Sequence, residues 1–208
     1  MAENIKVTLL GNCGVGKTCI IQRYINNSYE ENYNSTNGAS YSQKLIKKNG
    51  KDYQLDIWDT AGQEKYRSLG KNFYRDAYIV ILVYDITRKD SFQGIKEIWY
   101  PDLLKYGEND VVLAVVGNKC DKYEEDDIVN EDEARAFANE IKGKFMIVSA
   151  KNGINIQNLF DDLMNDYCDP EFHQKVEEVT RPRKSSTKIR KNTTSEEKKL
   201  KEKKSSCC

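Results

Sequence analysis

Two runs of β-branched residues constrain the fold of this chain more than any other feature. Ile79–Tyr84 and Val111–Val116 are almost continuously apolar, which is typical of parallel strands buried on both faces of a sheet. Ile5–Leu10 and Phe145–Val148 are predicted to be shorter strands of the same kind. Segments with helical periodicity alternate with these strands, at Gly16–Ile25, Ser91–Tyr106, Glu131–Ile141 and Ile156–Tyr167. This alternation predicts an α/β fold with a doubly wound, mostly parallel sheet and helices on both faces.

A hairpin is predicted around Asn49-Gly50, the dipeptide that most strongly favours a two-residue turn. The flanking segments Tyr41–Lys47 and Tyr53–Trp58 would pair antiparallel, with one of them at the sheet edge. Six strands are then expected in all. Pro101 falls inside the predicted helix Ser91–Tyr106 and should bend or interrupt it.

The charge of the chain is distributed unevenly between two regions. The 208 residues include 33 basic and 33 acidic side chains, but from Arg181 onward eleven Lys or Arg face three Asp or Glu, a net charge of +8. Because this end is rich in Lys, Ser, Thr and Glu, it cannot bury a core. We therefore expect one globular domain over residues 4–172 and a disordered basic tail over residues 173–208.

Composition also excludes several protein classes. The longest apolar stretch, Ala77–Tyr84, has eight residues, whereas a membrane-spanning helix needs about 20. The first residues lack the layout of a signal peptide. Six scattered cysteines do not form a disulfide framework, so Cys19, Cys120 and Cys168 are expected to be small buried hydrophobes in a reducing compartment.

A phosphate-binding motif lies between the first strand and the first helix. Gly11-Asn12-Cys13-Gly14-Val15-Gly16-Lys17-Thr18 fits G-x-x-x-x-G-K-[ST] in full. The glycines allow the backbone to wrap around a phosphate, whose charge the N–H groups and the helix end attract. Lys17 would contact the terminal phosphates, and the Thr18 hydroxyl would bind Mg²⁺. The alternative is a chance glycine-rich turn, and the motif alone does not identify the base.

A second motif, Asn118-Lys119-Cys120-Asp121, follows a buried strand and favours guanine. The Asp121 carboxylate can accept two hydrogen bonds from the N1–H and N2–H₂ edge of guanine, and adenine would leave it unpaired. Ser149-Ala150-Lys151 follows the next strand, where its backbone N–H groups would meet the guanine O6. The alternative for each motif taken alone is a polar loop at a strand end.

Asp59-Thr60-Ala61-Gly62-Gln63-Glu64 ends the strand after the hairpin. Asp59 is placed to hold Mg²⁺ through a water molecule, Gly62 offers an N–H to the γ-phosphate, and Gln63 can orient the attacking water. Taken separately, Asp59 or Thr60 could cap a helix and Gln63 could be an ordinary solvated side chain. The order and spacing of all three motifs favour nucleotide chemistry.

These motifs resemble those of the Ras superfamily of small GTPases, which have the P-loop NTPase fold, and within it the Rab family. The Rab-like cues are Trp58 before the Asp59 motif, Ser35-Thr36-Asn37-Gly38-Ala39, Phe73-Tyr74-Arg75 and the final Cys207-Cys208. The resemblance implies that Gln63 is catalytic, that Thr36 joins Thr18 and Asp59 at Mg²⁺, and that Tyr41, Trp58 and Phe73 form an effector surface. Ordinary partial burial is the alternative for these three aromatic residues. The implied nucleotide-binding set is Cys13, Gly14, Val15, Gly16, Lys17, Thr18, Cys19, Tyr29, Tyr33, Thr36, Gly62, Asn118, Lys119, Asp121, Ser149, Ala150 and Lys151.

The resemblance further implies a switch that cycles between GDP and GTP and recruits effectors in vesicle traffic. Hydrolysis would be slow until a GAP supplies an arginine, and an exchange factor, a GDP-dissociation inhibitor and a Rab escort protein are further expected partners of a monomer. Two residues depart from the family pattern. Cys13 would crowd Gln63 and is either a reactive or an inert thiol, and Asn37 replaces an apolar effector residue. A GTP-loaded scaffold with little hydrolysis is therefore the alternative function.

The chain ends in a basic run followed by Cys207-Cys208. The C-a-a-X rule does not apply, but the pair resembles the Rab signal for two geranylgeranyl groups, which anchor a protein stably. This implies the cytoplasmic face of intracellular membranes, with a cytosolic pool. An unmodified tail, or one that binds nucleic acid, is the alternative; the acidic domain argues against nucleic acid as a partner.

Overall fold

A computed structural model describes residues 2–30, 39–60, 71–107, 111–124 and 128–172. Its strands, in chain order, are β1 (Glu3–Leu10), β2 (Ala39–Lys48), β3 (Lys51–Thr60), β4 (Ile79–Asp85), β5 (Val112–Asn118) and β6 (Lys144–Ile147). They form one six-stranded sheet in the order β2-β3-β1-β4-β5-β6. All neighbours are parallel except β2 and β3. The predicted fold class is confirmed, with β2 as the antiparallel edge strand.

The hairpin that joins β2 to β3 has the predicted two-residue turn. Lys48 pairs with Lys51, and both turn residues have positive φ, 51° at Asn49 and 77° at Gly50. Positive φ at both positions defines the turn whose twist suits paired strands. The two strands are longer than the sequence predicted, because pairing continues to Ala39 and Thr60.

Helices cover both faces of the sheet. They are α1 (Lys17–Asn26), α2 (Lys71–Tyr74), α3 (Lys89–Gly94), α4 (Tyr100–Tyr106), α5 (Glu131–Glu140) and α6 (Ile156–Tyr167). One core cluster joins α1 and α6 to the sheet, and a second joins α3, α4 and α5 to its other face. Strand β4, apolar except for Asp85, lies between the two clusters, with every residue buried.

The predicted interruption at Pro101 takes the form of a wide turn. A π-helical turn, Ile95–Trp99, joins α3 to α4, and the Tyr100 N–H donates to the Ile95 carbonyl, five residues back. Trp99 and Tyr100 keep right-handed helical dihedrals, so the helical path continues through the proline. A proline lacks the N–H that an α-helix needs there, and the wide turn immediately precedes it.

The prediction that three cysteines are buried needs correction. Cys19, Cys120 and Cys168 are half-buried and pack against the edges of the two core clusters. They lie at helix and strand ends rather than in the middle of an element, which explains their partial exposure. Burial still raises the pKa of the Cys19 and Cys120 thiols. The helices that the structure describes are too short or too polar to cross a bilayer.

Candidate nucleotide-binding site

The loop between β1 and α1 has the backbone conformation that its glycines permit. Gly14 and Gly16 have φ of 78° and 93°, in the region that favours glycine. Gly16 also lies against Asn118, whose side-chain amide would clash with a Cβ at position 16. The phosphate motif and the guanine motif, a hundred residues apart in sequence, are therefore in contact.

The Lys17 side chain extends from the start of α1 into this loop. Its side chain is buried, and Nζ donates to the Gly11 carbonyl at 2.8 Å and to the Asn12 carbonyl at 3.1 Å. Burial lowers the pKa of Lys17 to about 8, although the negative charge of Asp59 opposes that shift. A bound phosphate would add negative charge beside this buried amine and favour its charged form.

Thr18 and Asp59 lie together at the start of α1 and the end of β3. Thr18 Oγ1 donates to Asp59 Oδ2 at 2.5 Å, and Asp59 is buried. A hydroxyl and a carboxylate are the hard oxygen ligands that Mg²⁺ prefers, and Mg²⁺ usually completes its shell with phosphate and water. The described residues contain no cluster of three His, Cys, Asp or Glu, so a cation here would need that completion. The pair fits Mg²⁺.

Asn118, at the carboxyl end of β5, hydrogen-bonds to the phosphate-binding loop and to the Ser149-Ala150-Lys151 motif. Its side chain is buried, with Nδ2 donating to the Val15 carbonyl at 2.8 Å and Oδ1 accepting from the Ala150 N–H at 3.1 Å. Ser149 Oγ donates to Asp121 Oδ1 at 2.5 Å. This hydrogen bond orients the Asp121 carboxylate.

A cavity of about 150 Å³ opens among these loops. Its lining residues are Gly16, Cys19, Tyr29, Asn118, Lys119, Asp121, Lys122, Ala150 and Lys151. All except Lys122 belong to the nucleotide-binding set predicted from the sequence. Carboxylate, backbone amides and an aromatic ring meet in one concave site, which suits a planar base with a polar edge.

Sequence comparisons identify the family. Residues 6–169 match the Ras family. Ras-related protein Rab-22A of Homo sapiens is 40% identical over 161 residues, which cover 77% of this chain and 82% of the relative. GTP-binding protein YPT1 of Saccharomyces cerevisiae is 34% identical over 184 residues, 88% of each chain. Ras-related protein RABD2a of Arabidopsis thaliana is 41% identical over 155 residues, 74% of this chain and 75% of the relative. The chain is a Rab-type member of the Ras family.

Membership of this family establishes the class of activity. The protein is a GTP-binding and GTP-hydrolysing switch of the Rab type that acts in vesicle traffic. The alternative of a scaffold with little hydrolysis is not favoured.

In this Rab-type GTPase the three predicted surface aromatics are contiguous. The ring centroids of Tyr41 and Trp58 are 5.2 Å apart, and those of Trp58 and Phe73 are 6.1 Å apart. Tyr41 is 47% exposed, whereas Trp58 and Phe73 are partly buried, so the effector surface stays a prediction. The Tyr41 hydroxyl donates to Asp56 Oδ1 at 2.6 Å, and this bond raises the pKa of Tyr41. The ring is therefore fixed on the outer face of the sheet.

Cys13 is exposed at the surface of the phosphate-binding loop. Its backbone carbonyl accepts a hydrogen bond from Arg88 Nη1 at 3.0 Å.

Several predicted site residues lie outside the described residues. These are Tyr33, Thr36, Gly62, Gln63, Cys207 and Cys208. The departure at Asn37 and the proposed tail, residues 173–208, lie outside them as well. Their roles remain predictions.

Sequence reasoning missed the residues that support the motifs from a distance. Asp85 is buried and pairs with Lys119 Nζ at 2.5 Å. Arg23 donates to the Ala150 and Lys151 carbonyls at 2.9 and 2.6 Å. Asp85 could have been identified from the sequence, because it is the one charged residue of an otherwise apolar strand. Arg23 and Arg88 stand in no motif, so no sequence pattern indicated them.

Proposed function

We propose that the phosphates of GTP and GDP bind the loop from Cys13 to Thr18 and that the base occupies the cavity beside Asp121. The observation that carries this proposal is the contact between the two motifs, since Asn118 hydrogen-bonds both the Val15 carbonyl and the Ala150 N–H. Asp121, held by Ser149, reads the N1–H and N2–H₂ edge of guanine. Ala150, Lys151 and Tyr29 line the same cavity, and the Tyr29 ring would pack against the base.

Thr18 and Asp59 would hold Mg²⁺, with Thr36 as a third protein ligand. The ion would neutralise charge on the β- and γ-phosphates. Lys17 contributes a second positive charge from the loop itself. Because Lys17 is buried, its charge is screened little by water and acts strongly on a phosphate within reach.

For hydrolysis we assign the orientation of the attacking water to Gln63, with the Gly62 N–H on the γ-phosphate. Water attacks the γ-phosphorus in line, the bond to the β–γ bridging oxygen breaks, and GDP and phosphate leave. Thr36 and Gly62 would order the segments around residues 30–42 and 59–75 while the γ-phosphate is present. Tyr41 and Phe73 lie within these segments and Trp58 directly precedes the second, so the three rings would display this state to effectors.

The proposed partners follow from the Rab-type assignment. They are effectors, an exchange factor, a GAP, a GDP-dissociation inhibitor and a Rab escort protein, with the chain itself a monomer. Geranylgeranyl groups on Cys207 and Cys208 would anchor it to the cytoplasmic face of intracellular membranes. The basic tail supports this proposal, because each Lys or Arg near an anionic leaflet contributes about 1 kcal/mol.

Gln63→Leu tests the hydrolytic assignment. The variant should bind GTP as the wild type does and hydrolyse it at least about tenfold more slowly, because the water is no longer oriented. Single-turnover hydrolysis of preloaded GTP measures the rate, with Gln157→Leu on the surface of α6 as the matched control. A wild-type hydrolysis rate in Gln63→Leu would refute the role of Gln63.

A further inference from the structure

Two side chains from the segment after β4 hold the phosphate-binding loop, and no motif contains them. Trp99 Nε1 donates to Asn12 Oδ1 at 2.8 Å. Arg88 Nη1 donates to the Cys13 carbonyl at 3.0 Å. Two consecutive loop residues are therefore bonded to one helical segment. We call Arg88 and Trp99, with the bonds they donate to Cys13 and Asn12, the loop brace.

The helical segment meets the phosphate-binding loop at both ends of the π-helical turn. Trp99 is the last residue of that turn and is buried. Gly94, just before the turn, lies directly against Asn12; a Cβ at position 94 would lie 2.6 Å from Asn12 Oδ1. The helix backbone and the Asn12 side chain thus fit closely.

Arg88 is itself held in place. Its Nη2 pairs with Asp90 Oδ2 at 2.6 Å and its Nε donates to Asp90 Oδ1 at 3.3 Å. A two-point pair with a carboxylate fixes the plane of a guanidinium group. The remaining Nη1 is then directed at the Cys13 carbonyl.

The peptide geometry connects this bond to phosphate binding. The Cys13 carbonyl and the Gly14 N–H belong to one planar peptide and point in opposite directions. Arg88 therefore fixes the direction of the Gly14 N–H by fixing the carbonyl. Lys17 holds the two preceding carbonyls, of Gly11 and Asn12, so three consecutive peptides of the loop are oriented.

We propose that Arg88 and Trp99 are positioning residues that keep the phosphate-binding loop in its anion-binding conformation and so slow the release of a nucleoside diphosphate. This inference rests on the proposed contact between the loop and the phosphates. The brace acts on the N–H groups that meet the β-phosphate and leaves the guanine cavity untouched. Its loss should therefore weaken the binding of GDP and leave that of GMP unchanged.

The test compares nucleotide release by Trp99→Phe and Arg88→Met with that by the wild type. Trp99→Phe keeps an aromatic ring and removes the indole N–H donor. Arg88→Met keeps an unbranched apolar side chain and removes the guanidinium group with its charge. Loss of one hydrogen bond predicts GDP release about two- to tenfold faster in Trp99→Phe, and about tenfold or more in Arg88→Met because its donor is charged. Arg88→Lys should lie between Arg88→Met and the wild type. Lys105→Met, on the exposed face of α4, is the control.

Release of fluorescently labelled GDP is followed after a chase with excess GDP, and GMP affinity is measured by competition. Faster GDP release with GMP affinity unchanged within about twofold would support the brace. Wild-type release rates in both variants, or equal losses for GDP and GMP, would overturn it. A wild-type protein that failed to retain GDP would overturn the nucleotide site itself and the brace with it.

Discussion

Lys17 shows how one buried residue links nucleotide binding to pH. Its pKa is lowered to about 8 by burial, so near that pH about half of the ligand-free molecules carry a neutral amine. A bound phosphate favours the ammonium form and raises the pKa. Nucleotide binding must therefore take up protons at pH 8 and above.

We expect the binding of GDP to take up roughly half a proton at pH 8 and close to none at pH 7. Affinity should fall as the pH rises above 8, by at most about tenfold per unit. Calorimetry in two buffers with different ionisation enthalpies measures the uptake, and the titration at pH 7 is the control. Equal proton exchange at the two pH values would contradict a neutral Lys17 in the ligand-free protein.

At the scale of elements, the β2–β3 hairpin carries the surface aromatics Tyr41 and Trp58 on paired positions of its two strands. Its register is fixed by the turn, because a slip of one residue would move every side chain to the other face of the sheet. Gly50 sustains that turn, with φ of 77° and open space around it.

Gly50→Ala should lower the free energy of unfolding by about 1–2 kcal/mol, because a Cβ is strained in this conformation even without a clash. Urea unfolding of the GDP-bound protein measures the change. Asn49→Gly is the control, with an expected change below about 0.5 kcal/mol, since glycine also adopts that conformation. Equal stability of Gly50→Ala and the wild type would refute the strain argument.

The elements also show what local sequence can predict. Strands such as β4 and β5 were predicted because burial on both faces demands continuous apolar runs. The hairpin was predicted because Asn49-Gly50 suits a single turn type. Pro101 indicated an interruption of the helix, but not that the interruption is a π-helical turn whose last residue, Trp99, bonds to Asn12.

The same distinction applies to the candidate site, where the sequence predicted the motifs but not the residues that support them. Its motifs were evident because phosphate and guanine recognition demand particular residues at particular spacings. Arg88 and Cys13 are 75 residues apart, and their contact depends on how β4 pairs with β1. The support for the loop therefore became visible only in the folded chain.

For the whole molecule, the balance of 33 basic and 33 acidic residues conceals an acidic domain and a net charge of +8 from Arg181 onward. Such a tail is attracted to an anionic membrane surface, but only within about 8 Å at physiological salt. Membrane binding by this electrostatic attraction alone is reversible. Stable anchoring would require the two proposed lipid groups.

The double variant Cys207→Ser and Cys208→Ser should move the protein from membranes to the soluble fraction of its own cells. Ser205→Ala with Ser206→Ala, which keeps both the cysteines and the basic run, should stay on membranes. Fractionation with intact-mass analysis measures both properties. Membrane binding by the cysteine variant, or a wild-type mass without lipid, would contradict the proposed anchor.

The central claim is that this Rab-type switch reads guanine through Asp121. The most direct measurement is the affinity of the wild type and Asp121→Asn for GTP and for xanthosine triphosphate. An asparagine amide can donate to the C2 carbonyl of xanthine but cannot accept both guanine donors. We predict that Asp121→Asn loses at least about tenfold in GTP affinity and gains in affinity for xanthosine triphosphate. Unchanged GTP affinity in this variant would contradict the account.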